Sequence, residues 1–332
     1  MSTPGVESTA SLGKTMSRLL RWMILFVLLG ATLSLGAMIW SGWNEVIRAL
    51  ARLGILLLVG TAVIASLAYL IRFFRWHLAL LCLGHRVPRR INLAIYLSGL
   101  ALTTSPGKLG ETIRSLFLRP LGVPVTKSLG AFLADRLSDV VGVCVLGAIA
   151  GLVARGTLNV AGLVLGGVFA GSFAFRCLVR TPPLFDRAMA IAGRWGLAPG
   201  RAAVEALACW AQIWTFRNAT LFAVMASLAY GIQAAVFFAL SNSLQLPLQP
   251  SVALEIFVNA TLFGAATMVP GGLGTMEASL VLQLMGHGIQ KADAVAIAIA
   301  TRCVTLWCGV LIGLIAFAGV CLRAGPEEPS LP

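Results

Sequence analysis

Long runs of apolar residues, separated by short polar clusters, dominate this chain. Six runs are long enough to cross a bilayer as helices, and they lie at about 22–40, 53–76, 128–153, 158–179, 219–242 and 292–321. Roughly 18 or more consecutive apolar residues predict a membrane-spanning helix. The runs are continuous, whereas the strands of a membrane barrel would alternate. The pattern therefore predicts an all-α polytopic membrane protein with about six full spans.

Two shorter pairs of apolar arms are interrupted by Pro and Gly. The first elbow, residues 105–111, separates arms at about 91–105 and 112–121, and the second elbow, residues 269–274, separates arms at about 251–269 and 276–286. An arm of about fifteen helical residues rises only about 23 Å, which is less than the roughly 30 Å hydrocarbon core. Each pair of arms therefore predicts a re-entrant hairpin. Non-helical backbone at membrane depth must be buried in protein or reached by water, so the elbows are expected to line a central cavity. The alternative is an ordinary surface turn between short tilted spans.

The elbows belong to an internal repeat. Pro106-Gly107-x-Leu109-Gly110 aligns with Pro270-Gly271-x-Leu273-Gly274. In both copies a crossing helix precedes the elbow, and a long helix with an embedded arginine follows it. Repeat A covers about 53–154, repeat B covers about 219–321, and a connector at 181–217 is expected to form an interfacial helix or helix pair. A single transmembrane domain at 14–323 is expected between tails at 1–13 and 324–332.

Charge predicts the orientation of these elements. The chain has 25 Lys and Arg against 12 Asp and Glu, and most of the basic residues lie at the ends of apolar segments. This distribution is typical of the positive-inside rule and not of a nucleic-acid-binding surface. If the spans alternate and the hairpins do not cross, the basic loops and both termini are cytoplasmic. The first hairpin then enters from the cytoplasm and the second from outside, which makes the halves inverted repeats, a transporter signature.

Ionisable residues inside apolar segments are candidates for function, because a charge inside a membrane is costly. Asp135, Arg136 and Asp139 share one helix face, and Arg136 can pair with Asp139 one turn away. Such a pair either binds substrate or only pins helices together, and the sequence leaves both interpretations open. Arg302 has no acid within a turn, so it needs a distant partner or an anion.

The first elbow suggests an anion site. Free amides at the start of a helix, together with Lys108 and Arg114, suit a phosphate or carboxylate. Glu111 and Glu277 are either counter-ions of Arg136 and Arg302 or proton-coupling acids. The predicted substrate-binding residues are Lys108, Glu111, Arg114, Arg136, Asp139, Gly271, Gly272, Glu277 and Arg302, with Arg72, Arg75 and Asp135 in a secondary role. For Arg72 and Arg75, at the end of the second span, anchoring in lipid headgroups is the favoured interpretation.

Enzyme and cofactor chemistry have little support in the sequence. The seven Cys form no C-x-x-C motif, and the three His show no ligand spacing. We therefore expect neither a metal site nor a cofactor. The chain has no Walker motif and no recognisable nucleophile and base pair, so we expect a protein that is not an enzyme.

The chain resembles the family of lysylphosphatidylglycerol synthase transmembrane regions, also described as flippase-like domains. The resemblance covers about 20–322 and rests on Arg72-Phe-Phe-Arg-Trp, the first elbow with Arg114, the segment Asp135-Arg-Leu-Ser-Asp, the second elbow with Glu277, and Arg302. It implies a bacterial inner-membrane protein that flips phospholipid or another lipid between leaflets. Where the second elbow of the family often reads Gly-Val-Arg-Glu or Gly-Val-x-Glu, Thr275 and Met276 precede Glu277 here, so a basic contact is missing there.

Two-part members of this family carry a cytosolic domain that aminoacylates phosphatidylglycerol. The present chain ends at Pro332, about ten residues after its last span, so aminoacyl transfer is not expected. The expected function is translocation of a phosphate-bearing or other polar-headgroup lipid, with the membrane lipid as partner. The alternatives are transport of a soluble solute, an intramembrane enzyme, and a non-transporting partner of a lipid, hopanoid or glycan biosynthesis enzyme.

Overall fold

Every regular element is helical in the part of the chain that the structure describes. The computed structural model describes residues 42–104, 112–156, 160–194, 198–246 and 248–323, with scattered positions between 28 and 40. The predicted tails, most of the predicted first span, and Lys108 and Glu111 lie outside the described residues.

The helices follow the predicted order. Their bounds are α1 (Trp43–Leu53), α2 (Ile55–Cys82), α3 (Arg89–Leu100), α4 (Arg114–Leu118), α5 (Val125–Arg155), α6 (Val160–Val179), α7 (Pro182–Arg194), α8 (Ala198–Ile213), α9 (Phe216–Ser243), α10 (Pro250–Ala266), α11 (Thr275–Gly286), α12 (Lys291–Arg302) and α13 (Cys308–Arg323). A π-helix, Cys303–Trp307, joins α12 to α13, so these three elements form one continuous last span.

Five helices of the described ranges are long and apolar enough to cross a membrane, namely α2, α5, α6, α9 and the last span. This confirms an all-α, multi-pass membrane protein. The predicted second span was too short, however. We expected it to end at residue 76, whereas α2 continues to Cys82.

The second elbow is not helical in the ordinary sense. Gly271, Gly272 and Gly274 have φ angles of 61°, 63° and 78°, which only glycine adopts without strain. The chain therefore reverses between α10 and α11, and the two helices pack against each other. Because α10 has only 17 residues, it rises about 26 Å and is shorter than the hydrocarbon core.

The two hairpins meet. The first arm, α3, ends in turns at residues 101–104, and Thr104 lies directly against the second elbow. A side chain at Gly271 would place its Cβ 3.3 Å from the Cα of Thr104. Of the second elbow, residues 269–274, Leu273 is buried and the others are half-buried. Most of the first elbow lies outside the described residues.

Helix α5 is the centre of the bundle. It packs against α6, α8, α9 and α10. A glycine makes the closest of these approaches possible: a Cβ at Gly142 would lie 2.7 Å from the backbone nitrogen of Ser227 on α9. Small residues allow such backbone contact between membrane helices, where dispersion and hydrogen bonds replace the hydrophobic effect.

The connector forms the expected helix pair, α7 and α8, and two of its tryptophans pack inside the protein. Trp210 and Trp214 are buried against the rest of the protein. The Trp214 indole donates a hydrogen bond of 3.0 Å to the Ser172 hydroxyl on α6. Their helical spacing therefore reflects packing on neighbouring helices, which sequence periodicity does not distinguish from contact with lipid.

Candidate functional site

Helix α2 and the last span pack antiparallel with a fixed register. The Ser66 hydroxyl lies 3.9 Å from the Cys308 sulfur, and one turn later the Tyr69 hydroxyl donates a hydrogen bond to the Thr305 carbonyl. From the first contact to the second, the residue number rises by three in α2 and falls by three in the last span. One further turn places Arg72 and Arg302 on facing turns.

These two arginines lie on the wall of a cavity of about 350 Å³. The cavity is enclosed by α2, α3, α5, α9, α10, the second elbow and the last span. Its described polar wall consists of Tyr69, Arg72, Tyr96, Thr103, Arg136, Asp139, Tyr230, Gln233, Thr261, Arg302 and Thr305. Gly271 and Gly272 complete the wall at the second elbow, as the sequence predicted for an elbow-lined cavity.

Arg72 is a buried cation without a carboxylate partner among the described residues. It is 8% exposed, and its guanidinium lies 4.4 Å above the Tyr230 ring. One of its nitrogens, Nη2, donates a hydrogen bond of 3.3 Å to Gln233, and Nε has no hydrogen-bond partner. A cation over an aromatic face gains a modest attraction, but this does not neutralise its charge. An anion in the cavity would do so.

The headgroup-anchor interpretation is wrong for Arg72 and Arg75. Both arginines are buried, and α2 continues two turns beyond the predicted end of the span. The apolar run that follows, from Leu78 to Cys82, completes the helix. The two arginines therefore lie inside the helix bundle and not at its edge.

Arg75 belongs to a compact group of four charges. Its guanidinium lies 2.5 Å from Asp135 and 2.7 Å from Asp139, which connects α2 to α5. Arg136 closes the group, at 2.6 Å from Asp135 and 3.2 Å from Asp139. The predicted local pair of Arg136 and Asp139 is confirmed, and Arg75 is its missing buried partner. Two arginines and two aspartates balance their charges.

The four-charge group has a buried side and a cavity side. Arg75 and Asp135 lie behind the wall, each 1% exposed in its side chain, whereas Arg136 and Asp139 line the cavity. The pinning interpretation therefore fits Arg75 and Asp135. Arg136 and Asp139 have access to a ligand.

Arg302 finds the distant partner that the sequence required. Its Nε donates to Glu277 at 2.8 Å, and its Nη2 donates to the carbonyl of Gly271 at 2.5 Å. Its Nη1 lies 3.3 Å from the Met276 sulfur. Arg302 thus ties the last span to the second elbow, and Glu277 occupies the position of its counter-ion.

Arg114 is not among the described residues that line the cavity. It is buried beside the cavity, where its guanidinium lies 4.1 Å from the Tyr96 ring and 5.3 Å from the Trp76 ring. Its Nε donates to the Tyr96 carbonyl at 3.2 Å. Tyr96 itself lines the cavity, so Arg114 supports the wall from behind.

Among the described residues of the cavity wall and the ion pairs behind it, positive charge exceeds negative charge. Four arginines, Arg72, Arg75, Arg136 and Arg302, stand against three carboxylates, Asp135, Asp139 and Glu277. The pairs described above neutralise three of the arginines, so the remaining charge belongs to Arg72. Because an uncompensated charge is costly inside a membrane protein, this cavity favours an anion.

The cavity has an apolar mouth. Val140, Ala265 and Met268 line it and are also exposed on the surface of the bundle. Met268 is 65% exposed and has a left-handed φ of 52°, which is uncommon for a residue with a side chain. The polar chamber is therefore bordered by exposed apolar residues at this mouth.

Sequence analysis missed the aromatic part of the site. All three tyrosines of the chain, Tyr69, Tyr96 and Tyr230, line the cavity. A usable signal was present, because Tyr69 precedes Arg72 by one helical turn in an otherwise apolar run. Gln233, on α9, accepts a hydrogen bond from Arg72 and also lines the cavity.

Comparison with known proteins identifies a family that this chain matches. The family model for the lysylphosphatidylglycerol synthase TM region matches residues 27–313. This range covers most of the chain and includes every residue placed around the cavity. No curated protein matches the chain.

Proposed function

Because the chain belongs to the family of lysylphosphatidylglycerol synthase transmembrane regions, we propose that it translocates a lipid with a phosphate-bearing headgroup across the bacterial inner membrane. The observation that carries this proposal is Arg72, a buried arginine on the cavity wall without a carboxylate partner among the described residues. A phosphate between Arg72 and Arg302 would neutralise the excess charge. Guanidinium groups suit phosphate because their donors match its geometry.

The mouth of the cavity favours a lipid over a soluble solute. A headgroup in the polar chamber would have its acyl chains leave between Val140 and Met268, where the wall is apolar and exposed. A soluble anion would instead be drawn through a polar entrance. The proposal therefore combines a polar headgroup site with a sideways exit into the bilayer.

We further propose that the two halves are inverted repeats, with the first hairpin entering from the cytoplasm and the second from outside. The contact of Thr104 with Gly271 supports this, since hairpins that enter from opposite sides would meet at their ends. Both termini are then cytoplasmic. Transport runs downhill or uses a gradient, and it includes no chemical step on the lipid.

Reconstitution tests this proposal. The protein is inserted into vesicles that contain a panel of fluorescent phospholipids and neutral lipids, and leaflet exchange is followed by quenching from outside. We expect faster exchange for phosphate-bearing lipids, and a large loss of this activity in Arg72→Gln. The matched control is Arg48→Gln, because Arg48 lies on the exposed face of α1.

The reconstitution assay can also contradict the transport proposal. If the folded protein accelerates the exchange of no lipid in the panel, the transport proposal is wrong. A stable complex with a lipid, hopanoid or glycan biosynthesis enzyme that survives Arg72→Gln would then favour the non-transporting partner. Uptake of a soluble anion into lipid-matched vesicles would favour solute transport.

A further inference from the structure

The last span changes its helical form directly after Arg302. In the π-helix Cys303–Trp307, the backbone N–H of Cys308 donates to the carbonyl of Cys303, five residues back. A π-turn holds one more residue than an α-turn, and such turns commonly occur at functional sites. The π-helix therefore sets how α12, with Arg302 at its end, is rotated relative to α13.

A side chain from a neighbouring helix occupies this irregular turn. The Tyr69 hydroxyl donates to the Thr305 carbonyl and lies against the backbone of Gly309, four residues later. In an α-helix, the amide of residue 309 would donate to that carbonyl. Tyr69 thus enters the helix at the position of a regular backbone hydrogen bond. A side chain at Gly309 would collide with the hydroxyl.

The rotation matters for the anion site. An α-helix turns by about 100° per residue, so a return of the π-turn to α geometry would rotate α12 by about 100° relative to α13. Arg302 would then leave the turn that faces Arg72. Its hydrogen bonds to Glu277 and to the Gly271 carbonyl would also be lost or rearranged.

We infer that Tyr69 is a positioning residue that holds the last span in its π form and thereby keeps Arg302 opposite Arg72. This inference rests on the proposed function only where it assigns an anionic headgroup to the two arginines. The geometric part, that Tyr69 sets the rotation of α12, stands apart from any transport activity. Tyr69 affects the anion site through the position of Arg302, although Tyr69 also lines the cavity.

A native cysteine reports the rotation. Cys303 follows Arg302 and is exposed, whereas its neighbours Arg302 and Val304 are buried. In a chain in which Cys303 is the only cysteine, a turn of about 100° moves its thiol towards buried positions. We expect Tyr69→Phe, which removes only the hydroxyl, to slow maleimide labelling of Cys303 severalfold in detergent. Gly309→Ala, which fills the place of the hydroxyl, should do the same.

The control is Thr61→Val. Thr61 is buried on the same helix, and its hydroxyl donates only to carbonyls of its own helix. Its loss removes a buried hydroxyl without affecting the last span, so labelling of Cys303 should not change. The packing of α2 on α13 is checked in a second set of proteins, which keep Cys308 and lack the other native cysteines. There Ser66→Cys should form a disulfide with Cys308 with Tyr69 intact, in Tyr69→Phe and in Gly309→Ala, because the Ser66 hydroxyl lies 3.9 Å from the Cys308 sulfur.

The outcomes separate this inference from the proposed function. Unchanged Cys303 labelling in Tyr69→Phe, with the Ser66→Cys crosslink formed, overturns the inference whatever the lipid data show. Slower labelling together with reduced retention of phosphate-bearing lipid supports both proposals. Slower labelling with unchanged lipid retention supports the role of Tyr69 and removes Arg302 from the headgroup site.

Discussion

Arg72 and Arg302 line one cavity from helices that pack antiparallel, and of the two only Arg302 pairs with a carboxylate within the described ranges. The Arg302–Glu277 pair carries no net charge and also fastens the second elbow. Among the described residues, Arg72 lies over the Tyr230 ring and donates a hydrogen bond to the Gln233 amide. The two arginines therefore have different tasks, since Arg72 supplies the uncompensated charge and Arg302 supplies a donor at a fixed position.

Arg72→Gln should reduce the amount of phosphate-bearing lipid that co-purifies with the protein. The same change should leave thermal stability unchanged or raise it, because it removes a buried charge that no carboxylate balances. Mass spectrometry of retained lipids and thermal unfolding in detergent measure the two effects. Arg48→Gln, on an exposed face, is expected to change neither.

A strong loss of stability in Arg72→Gln would contradict this account. It would mean that Arg72 holds the fold through its contacts with Tyr230 and Gln233, and that its charge is balanced within the protein. Lipid retention would then fall because the fold is damaged, and Arg72 would not be a headgroup-binding residue.

Replacement of Arg75, unlike replacement of Arg72, should lower the stability of the protein. Arg75→Gln removes one of the two arginines that pair with Asp135 and Asp139, so these buried carboxylates lose a partner. Breaking a buried ion pair from one side costs about 3 to 5 kcal/mol. We expect a large fall in the free energy of unfolding, measured by chemical denaturation in mixed micelles.

The double variant Arg75→Gln with Asp135→Asn is the control for this effect. It removes one charge of each sign and leaves Arg136 beside Asp139. Part of the lost stability should return. If the double variant is as unstable as the sum of the two single variants, the four charges do not act as a balanced group.

Packing at the centre of the bundle gives a prediction that is independent of charge. Gly142→Leu places a side chain where a Cβ already comes within 2.7 Å of α9, so helices α5 and α9 must separate. Overpacking of this kind costs about 1 to 3 kcal/mol or more. Gly60→Leu is the matched control, because nothing lies within 4 Å of that position. Equal melting temperatures for the two variants would argue against close packing of α5 on α9.

The apolar pattern predicted most of the fold, because the length of an apolar run directly determines whether a helix can cross a bilayer. The same pattern misplaced Arg72 and Arg75. Basic residues after an apolar run resemble a membrane boundary, and the short apolar run beyond them looked like a loop. Burial in a bundle depends on neighbours that are distant in sequence, such as Asp135 for Arg75, and one helix alone does not specify them.

Part of the site was predictable from the sequence. An arginine without a local acid requires a partner, which led to the correct expectation that Arg302 reaches a distant group, and Glu277 is that group. The π-helix could not be foreseen, since Cys303–Trp307 has an ordinary apolar composition. It depends on Tyr69, which is more than two hundred residues away in sequence.

Glu277→Gln decides between the two roles that the sequence left open for this acid, counter-ion or proton-coupling group. As a counter-ion, Glu277 neutralises Arg302, so its replacement leaves two uncompensated arginines facing the cavity. Retention of phosphate-bearing lipid should then increase, while stability should fall because a buried cation has lost its partner. As a proton-coupling acid, Glu277 would instead be needed for transport against a pH gradient, and lipid retention would not increase. Mass spectrometry of bound lipid, beside exchange assays with and without a pH gradient, separates the two. Greater retention of phosphate-bearing lipid, together with lipid exchange that does not depend on the pH gradient, shows that Glu277 is the counter-ion of Arg302.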